Sequence, residues 1–315
     1  MKEDLKIVFM GTPDFAAASL KKLIEEKFNV IACFTNPDKP SGRGMKLKYS
    51  EVKEVALENN IKVFQPAKLR KNEEVIDTLK ELEPDLIVVV AYGKILPKEI
   101  LEIPKLGCIN VHGSLLPEYR GAAPMQWSLI NGDKKTGITT MFMDEGMDTG
   151  DMLLKEEVEI TEEDNFETLH DKMKEVGANL LVKTINSLQM EDLKRIKQPV
   201  EGTIAPMISK EMTKIDFNKS SKEIFNMIRG MSPFPGAYME DVDGKIYKVY
   251  KVSYTCDKLL QVENGVVVER TKNSLKIKCK DGSVSILEIK PQNSKKMEVK
   301  AFLAGSKIDV GFKFV

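Results

Sequence analysis

The sequence predicts an α/β protein of two domains, in which a mostly parallel sheet domain is followed by a small β-barrel. The chain has 315 residues, which suggests two domains at about one domain per 100–200 residues. Short apolar runs alternate with amphipathic or polar stretches over the first part of the chain, and this is the rhythm of βαβ units. Short β-rich runs separated by turn signals fill the last part, as is typical of a small antiparallel barrel or sandwich.

The first domain is predicted over residues 1–189, and five apolar runs within it indicate strands. The run at residues 85–91 is nearly continuous in Leu, Ile and Val, as expected for a strand buried on both faces of a parallel sheet. A Rossmann-like sheet with helices on both sides follows, and such sheets bind ligands at the carboxyl ends of their strands. The predicted strands cover residues 5–10, 29–34, 62–64, 85–91 and 107–112.

The end of the first domain changes pattern. Apolar and polar residues alternate between Thr136 and Ile160, which predicts a hairpin-like extension, and residues 165–188 read as one amphipathic helix. Residues 190–206 then combine charges, two prolines and a glycine without hydrophobic periodicity. This composition indicates a linker.

The second domain is predicted over residues 207–315. A helix near residues 220–230 precedes β-rich runs that Asp-Gly and Asn-Gly turns separate. An OB-like barrel suits this pattern, although composition alone does not separate it from other small barrels. The turns are Asp243-Gly244, Asn264-Gly265 and Asp281-Gly282.

The composition excludes several classes of protein. Lys and Arg total 48 and balance 48 Asp and Glu, and the hydrophobic fraction is 42%, so disorder is not the main state. No run approaches the about 18 apolar residues that a membrane span needs. The N-terminal residues MKEDLKIVFMG read as a first strand and not as a signal peptide. We therefore expect a cytoplasmic protein that does not engage a membrane.

The four cysteines predict neither a zinc site nor a disulfide framework. Cys33, Cys108, Cys256 and Cys279 lie far apart, with no C-x-x-C pair. We expect reduced thiols that lie mostly in the core.

The balanced total charge hides an asymmetry between the two parts of the chain. Residues 206–315 hold 20 Lys and Arg against 13 Asp and Glu, an excess of seven positive charges that the preceding residues cancel. A basic C-terminal part suggests contact with a polyanion. A chance excess of lysine on a solvated surface is the alternative.

Two histidines, His112 and His170, are the candidates for proton transfer through an imidazole. His170 falls inside the predicted amphipathic helix among charged residues, where a solvated or packed side chain is the simpler interpretation. His112 ends a predicted strand, and Asn110 projects to the same side because side chains alternate along a strand. We expect this amide and imidazole to converge on one small substrate group, unless both only hydrogen-bond local backbone.

A carboxylate that orients the imidazole is available in the loop DEGMDTGDM, which offers Asp144, Asp148 and Asp151. The residues alone do not choose among the three. Ser114 lies in G-S-L-L-P and not in the G-x-S-x-G context of a nucleophilic serine. The first strand leads into GTPDF instead of G-x-G-x-x-G, which disfavours nicotinamide chemistry. Direct group transfer is therefore favoured over a covalent enzyme intermediate.

Several ordered segments together resemble the folate-dependent formyltransferase family. Asn110 through Pro117 is followed by Tyr119 through Pro124 and by the acidic loop Asp144 through Gly150, as in that family. The resemblance spans essentially the whole chain. Its other segments are Gly11–Phe15, Asn36–Gly44, Gln65-Pro66, Leu69-Arg70, Lys210-Glu211, Ile215–Phe217 and Pro233–Ala237.

The resemblance implies transfer of the formyl group of 10-formyltetrahydrofolate to the α-amino group of methionine esterified to initiator tRNA. Asn110, His112 and Asp148 are then the catalytic residues, with Asp148 at the family's carboxylate position. Asn110 and His112 would stabilise the negative charge that builds on the formyl oxygen. Asp148 would orient or ionise His112. No metal is expected.

The same resemblance assigns residues that contact the two substrates. The implied folate-binding residues are Ser114, Leu115, Leu116, Pro117, Ile87, Val89, Ala91 and Asp144. The cationic, glycine-containing loop at residues 36–48 is expected to contact tRNA, with Arg43 reading the acceptor stem and the lysines contacting phosphate. The implied tRNA-binding residues are Arg43, Lys39, Lys46, Lys48 and Lys210, while Met207 stands where many relatives carry a lysine.

Two alternative functions stay open at this point. A formyltransferase with the same catalytic residues can act on another amine, but relatives that use a ribonucleotide amine resemble only the first domain. Relatives that use amino sugars lack the Gly42-Arg43-Gly44 type of loop. A non-catalytic tRNA-binding protein is the alternative from another class, and the intact catalytic residues argue against it. We expect the protein to act as a monomer.

Overall fold

The computed structural model describes residues 4–41, 46–256 and 261–315, and the side chains of all of these except residues 40, 41 and 46. The chain divides into two compact units, each assembled from segments that are distant in sequence. The first unit contains Met1–Gly121, Thr136–Glu159 and His170–Ile204, and the second contains Ala122–Lys135, Ile160–Leu169 and Ala205–Val315.

Helices are present in both parts of the described chain. They are α1 (Asp14–Glu25), α2 (Glu51–Glu58), α3 (Glu73–Leu82), α4 (Lys98–Leu101), α5 (Pro124–Asn131), α6 (Phe166–Gln189), α7 (Ser221–Gly230) and α8 (Val299–Gly305). A 3₁₀ helix spans Glu211–Thr213.

The strands fall into two groups, one before and one after α6. The first group is β1 (Ile7–Gly11), β2 (Val30–Phe34), β3 (Lys39–Ser41), β4 (Lys46–Lys48), β5 (Lys62–Phe64), β6 (Leu86–Val90), β7 (Cys108–His112), β8 (Arg120–Gly121), β9 (Lys135–Phe142) and β10 (Met152–Glu159). The second group is β11 (Ile204–Ala205), β12 (Ala237–Glu240), β13 (Ile246–Thr255), β14 (Val267–Arg270), β15 (Leu275–Lys278), β16 (Ser283–Pro291) and β17 (Met297–Glu298).

A seven-stranded mixed sheet forms the centre of the first unit, in the order β10-β9-β7-β6-β1-β2-β5. Strands β5, β2, β1, β6 and β7 run parallel, and β9 runs antiparallel to β7. All five residues of β6 are buried, because a central strand of such a sheet is covered on both faces. The predicted mostly parallel sheet is confirmed, and each of its five predicted runs overlaps an observed strand.

Polar caps define where two helices of this unit begin. Ser50 accepts a hydrogen bond from the backbone N–H of Lys53 at the start of α2, and Asn72 accepts one from Val75 at the start of α3. Each cap satisfies a backbone donor that the first turn of a helix leaves open. Helix α3 then places Val75 and Leu79 in one apolar cluster with residues of β6. The amphipathic pattern of the helix thus covers the sheet.

The segment predicted as a hairpin-like extension forms β9 and β10, which are neighbours at one edge of the sheet. The helix predicted over residues 165–188 is observed as α6. The segment after it is held against the first unit, because Met152 and Ile196 exchange backbone hydrogen bonds of 2.8 and 2.9 Å. Gln198 in the same segment is buried.

An antiparallel sheet in the order β12-β13-β16-β15-β14, to which β17 adds beside β16, forms the second unit. Helix α7 begins with a capping box, in which Ser220 and Glu223 each accept a backbone hydrogen bond from the other. Its residues Ile224 and Ile228 join the apolar core that strands of the sheet line. The predicted helix near residues 220–230 and the predicted antiparallel domain are confirmed.

The C-terminal residues bridge the two edge strands of this sheet. Val315 exchanges backbone hydrogen bonds with Glu240 at the end of β12, and Val267 in β14 donates to Phe312. Phe314 is buried between these contacts and donates to the carbonyl of Gly265. Gly265 has φ of +84°, and a Cβ there would lie 2.3 Å from the carbonyl oxygen of Phe314, so the predicted Asn264-Gly265 turn requires glycine. The tail therefore completes a barrel-like second unit.

None of the helices in the described residues is both long and apolar enough to cross a membrane.

Candidate active site

Strand β7 presents two polar side chains at the carboxyl end of the sheet. Asn110 and His112 are two residues apart and pair with Met141 and Thr139 of the antiparallel neighbour β9. The His112 side chain is 6% exposed, and Asn110 is half-buried. Because parallel strands end at the same edge, the loops that follow β6 and β7 meet there. The strand thus holds both groups at the edge where α/β sheets bind ligands.

The structure brings Asp148 to this pair. Its Oδ2 lies 3.6 Å from His112 Nδ1, and its Oδ1 accepts a 3.4 Å hydrogen bond from Asn110 Nδ2. The backbone N–H of Gly121 donates to Oδ2 at 2.8 Å. Of the three candidate aspartates, Asp148 is therefore the one seen beside both the amide and the imidazole.

The second ring nitrogen of His112 also faces an acceptor. Nε2 lies 2.9 Å from the carbonyl oxygen of Tyr119, so this nitrogen donates and Nδ1 is turned to the Asp148 carboxylate. The ring therefore lies between the carbonyl oxygen of Tyr119 at Nε2 and the carboxylate of Asp148 at Nδ1. The two contacts fix the plane of the ring and turn Nδ1 toward Asp148.

The backbone of the Asp148 loop is tightly constrained. Asp148 has φ of +55°, a left-handed conformation that is uncommon for a residue with a side chain. A Cβ on Gly150 would lie 1.8 Å from the carbonyl oxygen of Phe142, so only glycine fits beside the end of β9. Asp144 caps its own loop, because its carboxylate accepts hydrogen bonds from Thr149 and from the N–H of Gly146. The exposed Asp144 thus shapes the loop that carries Asp148.

Buried hydrogen bonds hold the loop after β7, which the resemblance implies binds folate. Ser114 is fully buried and donates to the carbonyl of Glu118 at 2.5 Å. Thr139 bonds both the carbonyl of Ser114 and the N–H of Leu116. Leu116 is itself fully buried. Among the four implied residues of this loop, Leu115 and Pro117 are the ones that keep partly exposed side chains.

Strand β6 supplies the other implied folate residues. Ile87 and Val89 are buried in the apolar cluster of the first unit, whereas Ala91 follows the strand, is exposed, and has φ of +45°. Ile95 in the same loop is 82% exposed. Of these three implied folate residues, Ala91 is therefore the exposed one, whereas Ile87 and Val89 lie in the core.

The residues implied to bind tRNA are placed unevenly. Arg43 lies outside the described residues, as does the side chain of Lys46. Lys39 and Lys48 face each other across the β3–β4 pair, and both are exposed. Lys48 also donates to Glu51 at 2.9 Å, a contact that raises the pKa of Lys48. Lys210 is exposed in the second unit.

His170, the second histidine, lies on α6 between two carboxylates. Its Nε2 is 3.4 Å from Asp14, and its Nδ1 is 3.3 Å from Asp171. Lys174 pairs with the same two aspartates, so its positive charge offsets part of their negative charge. The cluster has the character of a helix surface ion-pair network.

Two residues that sequence reasoning did not single out are tied to the loop that carries Asp148. Arg120 is buried, and its guanidinium donates to the side chain of Gln198. Gln198 in turn donates to the carbonyl oxygens of Asp148 and Gly150, each at 2.8 Å. Arg120 stands in the quoted Tyr119–Pro124 segment, but neither its burial nor the partner of Gln198 is visible in a local pattern.

Two family models match the chain and together cover most of it. The model described as formyl transferase matches residues 5–185, and the model described as formyl transferase, C-terminal domain, matches residues 207–307.

Full-length relatives are similar at high identity. The methionyl-tRNA formyltransferase of Caldanaerobacter subterraneus subsp. tengcongensis is 49% identical over 98% of this chain and 99% of its own length. That of Clostridium novyi is 50% identical over 97% of this chain and 98% of its own length. A solved N-formyltransferase from Helicobacter canadensis, in complex with folinic acid and dTDP-3-aminofucose, has a TM-score of 0.67 at 20% identity. That alignment covers 93% of this chain and all of the solved one, and it shows a shared fold. The chain belongs to the formyl transferase family.

Proposed function

We propose that this protein transfers the formyl group of 10-formyltetrahydrofolate to the α-amino group of methionyl initiator tRNA, which gives N-formylmethionyl-tRNA for translation initiation. The observation that carries the reaction class is the convergence of Asn110, His112 and Asp148 at the carboxyl edge of the sheet. The acceptor is supported by full-length likeness, at about half identity, to relatives named methionyl-tRNA formyltransferase.

The two domains would have different tasks in this reaction. Residues 1–189 would bind the folate and carry out the transfer, residues 190–206 would link the domains, and residues 207–315 would bind tRNA. The excess of positive charge in residues 206–315 supports the last assignment, because phosphate contacts dominate the affinity of proteins for nucleic acids.

Asn110 and His112 would act on the formyl oxygen. The α-amine forms a bond to the formyl carbon, and negative charge builds on the oxygen before the bond from that carbon to the folate nitrogen breaks. Asn110 Nδ2 carries two N–H groups, of which one points to Asp148, so the other is free to donate to the oxygen. Preorganised donors of this kind stabilise the charge where it develops.

Asp148 would help to transfer the proton that the amine loses. The electron pair of the breaking bond goes to the folate nitrogen, which needs a proton, and the attacking amine must give one up. A free α-amine has a pKa of about 7.7–8.0, so modest base assistance is enough. The carboxylate beside His112 suits this transfer.

The contact residues follow the same proposal. Folate would bind along the loops after β6 and β7, with Ala91, Leu115 and Pro117 offering the reachable surface. Arg43 would read the acceptor stem, and Lys39, Lys46, Lys48 and Lys210 would contact phosphate. Ser114, Leu116, Ile87, Val89 and Asp144 would support the folate site.

We also infer that the protein works as a monomer in the cytoplasm. Its described cysteines are free, which suits a reducing compartment. Light scattering at assay concentration measures the molecular mass and so tests whether the protein is a monomer.

Single-turnover formylation of methionyl initiator tRNA tests the function, with elongator tRNA and a small ribonucleotide amine as competing acceptors. We expect formylated methionyl initiator tRNA alone. His112→Ala and Asp148→Asn should each lower the rate by about 10²–10⁴-fold while circular dichroism stays native. Transfer to the small amine would keep the reaction class and overturn the tRNA assignment, and no transfer would favour a tRNA-binding protein.

Arg43→Ala tests the acceptor-reading loop separately. We expect weaker selection of initiator over elongator tRNA with an unchanged rate at saturating substrate. A preference equal to that of the wild type would remove Arg43 from recognition.

A further inference from the structure

The segment after α6 reaches the catalytic loop through one buried side chain, that of Gln198. It is 7% exposed, and its Nε2 donates to the carbonyl oxygens of Asp148 and Gly150 at 2.8 Å each. Its Oε1 accepts from Nε and Nη2 of Arg120 at 3.1 and 2.9 Å. Both N–H groups and both lone pairs of the amide are therefore used. This arrangement fixes the orientation of the amide, because the reversed amide would turn an oxygen toward two carbonyl oxygens.

Arg120 holds the other side of Gln198. Its guanidinium is buried and also donates to the carbonyls of Pro199 and Val200, at 2.8 and 3.3 Å. Its backbone N–H donates to Thr203. A Cβ on Gly202 would lie 2.5 Å from the carbonyl oxygen of Pro117 and 3.2 Å from Arg120 Cζ. The backbone of residues 198–203 thus lies directly on the guanidinium.

The segment that carries Gln198 and the segment that carries Arg120 both contact Asp148, one at its backbone and the other at its carboxylate. Gln198 holds the backbone carbonyl of Asp148, and Gly121, next in the chain after Arg120, holds its carboxylate. Asp148 needs this support because its φ of +55° is a left-handed conformation, which a residue with a side chain keeps only where its surroundings stabilise it. Its carboxylate must stay in place to meet His112 and Asn110.

We propose that Gln198 is a positioning residue for formyl transfer, which acts by holding Asp148 in the conformation that faces His112. The inference rests on the function proposed above, because the rate it changes is that of formyl transfer. Gln198 is assigned no contact with the reacting atoms. Order in the segment between the two predicted domains is thereby a condition for the catalytic geometry.

Gln198→Glu is the test variant. Glutamate keeps the shape of the side chain and the acceptor for Arg120, but it turns an oxygen instead of an N–H group toward the carbonyls of Asp148 and Gly150. We expect kcat to fall about 10–100-fold, while KM for the folate and KM for methionyl-tRNA stay close to the wild-type values. Ile196→Gln is the matched control, because this side chain lies in the same segment and is 53% exposed. It should behave as the wild type.

The double variant Gln198→Glu/Asp148→Asn separates positioning from a general structural role. If Gln198 acts through Asp148, the double variant is no slower than Asp148→Asn alone, because coupled residues are not additive. Losses that multiply would overturn the proposal, as would an unchanged kcat in Gln198→Glu or a rise in KM without a fall in kcat.

A readout independent of turnover keeps this result distinct from a failure of the proposed function. The chain has two histidines, so the imidazole ¹⁵N resonances of His112 are assigned by comparison with His170→Gln. We expect Gln198→Glu and Asp148→Asn both to shift the His112 resonances at constant pH. His112 signals that move in Asp148→Asn but not in Gln198→Glu would refute the positioning role, whatever acceptor the wild-type enzyme uses.

Discussion

Gly150 shows how one small residue determines the geometry of the loop that carries Asp148, the proposed catalytic carboxylate. A methyl group on it would lie 1.8 Å from a backbone oxygen of Phe142, and backbone cannot yield as a flexible side chain can. Gly150→Ala should therefore displace the loop and lower the single-turnover rate at least about 100-fold. Gly305→Ala is the control, because a Cβ there meets nothing within 4 Å. A normal rate in Gly150→Ala would contradict this prediction, because it would show that the loop can shift to accommodate the added methyl group.

The four cysteines make a second prediction at the scale of single residues. Burial raises the pKa of the Cys33, Cys108 and Cys279 thiols to about 12, while Cys256 is exposed. Because the thiolate is the reactive form and a group of pKa 12 is almost wholly protonated at pH 8, one thiol should react with Ellman's reagent in the native protein. All four should react in denaturant. A native protein that exposes two or more reactive thiols would contradict this burial.

At the scale of elements, a polar network joins Asp38, the residue before β3, to Lys53 and Gln65. Lys53 on α2 donates to Asp38 at 2.5 Å and to Gln65 at 2.8 Å. Gln65 donates to Asp38 and to the carbonyl of Asn36. The hydrogen bond from Lys53 is the main cause that lowers the pKa of Asp38. The contact is therefore present above the usual carboxyl range and is lost as the pH falls through the lowered pKa.

Lys53→Met should loosen this network while it keeps the length of the side chain. If the loop between β3 and β4 reads the acceptor stem, KM for methionyl-tRNA should rise about tenfold, and kcat and KM for the folate should change less than about twofold. Steady-state kinetics measure all three. Lys22→Met is the control, since Lys22 pairs with Glu25 and Glu26 at the surface of α1, where ion pairs contribute little. An unchanged KM for tRNA would separate the loop from recognition.

At the scale of the whole molecule, the charge asymmetry makes a prediction about salt. Each phosphate contact releases bound counterions, so affinity for nucleic acid falls steeply with salt. An increase from about 50 to 200 mM NaCl should raise KM for methionyl-tRNA at least about tenfold if three or more of the proposed cations contact phosphate. KM for the folate should change little, which supplies an internal control. An equal response of both KM values to salt would argue against phosphate contacts by the proposed cations.

The sequence alone predicted the elements that local patterns encode. The continuous apolar run of β6 and the period of α6 each have a local cause, because side-chain spacing decides which face of an element is buried. The alternation expected after Thr136 predicted strands there, but seven of the eight residues of β9 are buried because this strand lies between β10 and β7. Asn110 and His112 lie on one strand, so their convergence also follows from local geometry. The ordered motifs between Asn110 and Gly150 indicated the family, which the comparisons confirm.

Tertiary structure decided what depends on residues that are far apart in the chain. The sequence left three aspartates open, and the position of β9 beside β7 brings Asp148 to a histidine that precedes it by dozens of residues. Likewise, Gln198 contacts the loop of Asp148 because the segment after α6 lies on Arg120. Such contacts depend on how strands are ordered and how loops close on one another. A linear pattern does not contain that information, whereas packing and hydrogen-bond satisfaction in the folded chain determine it.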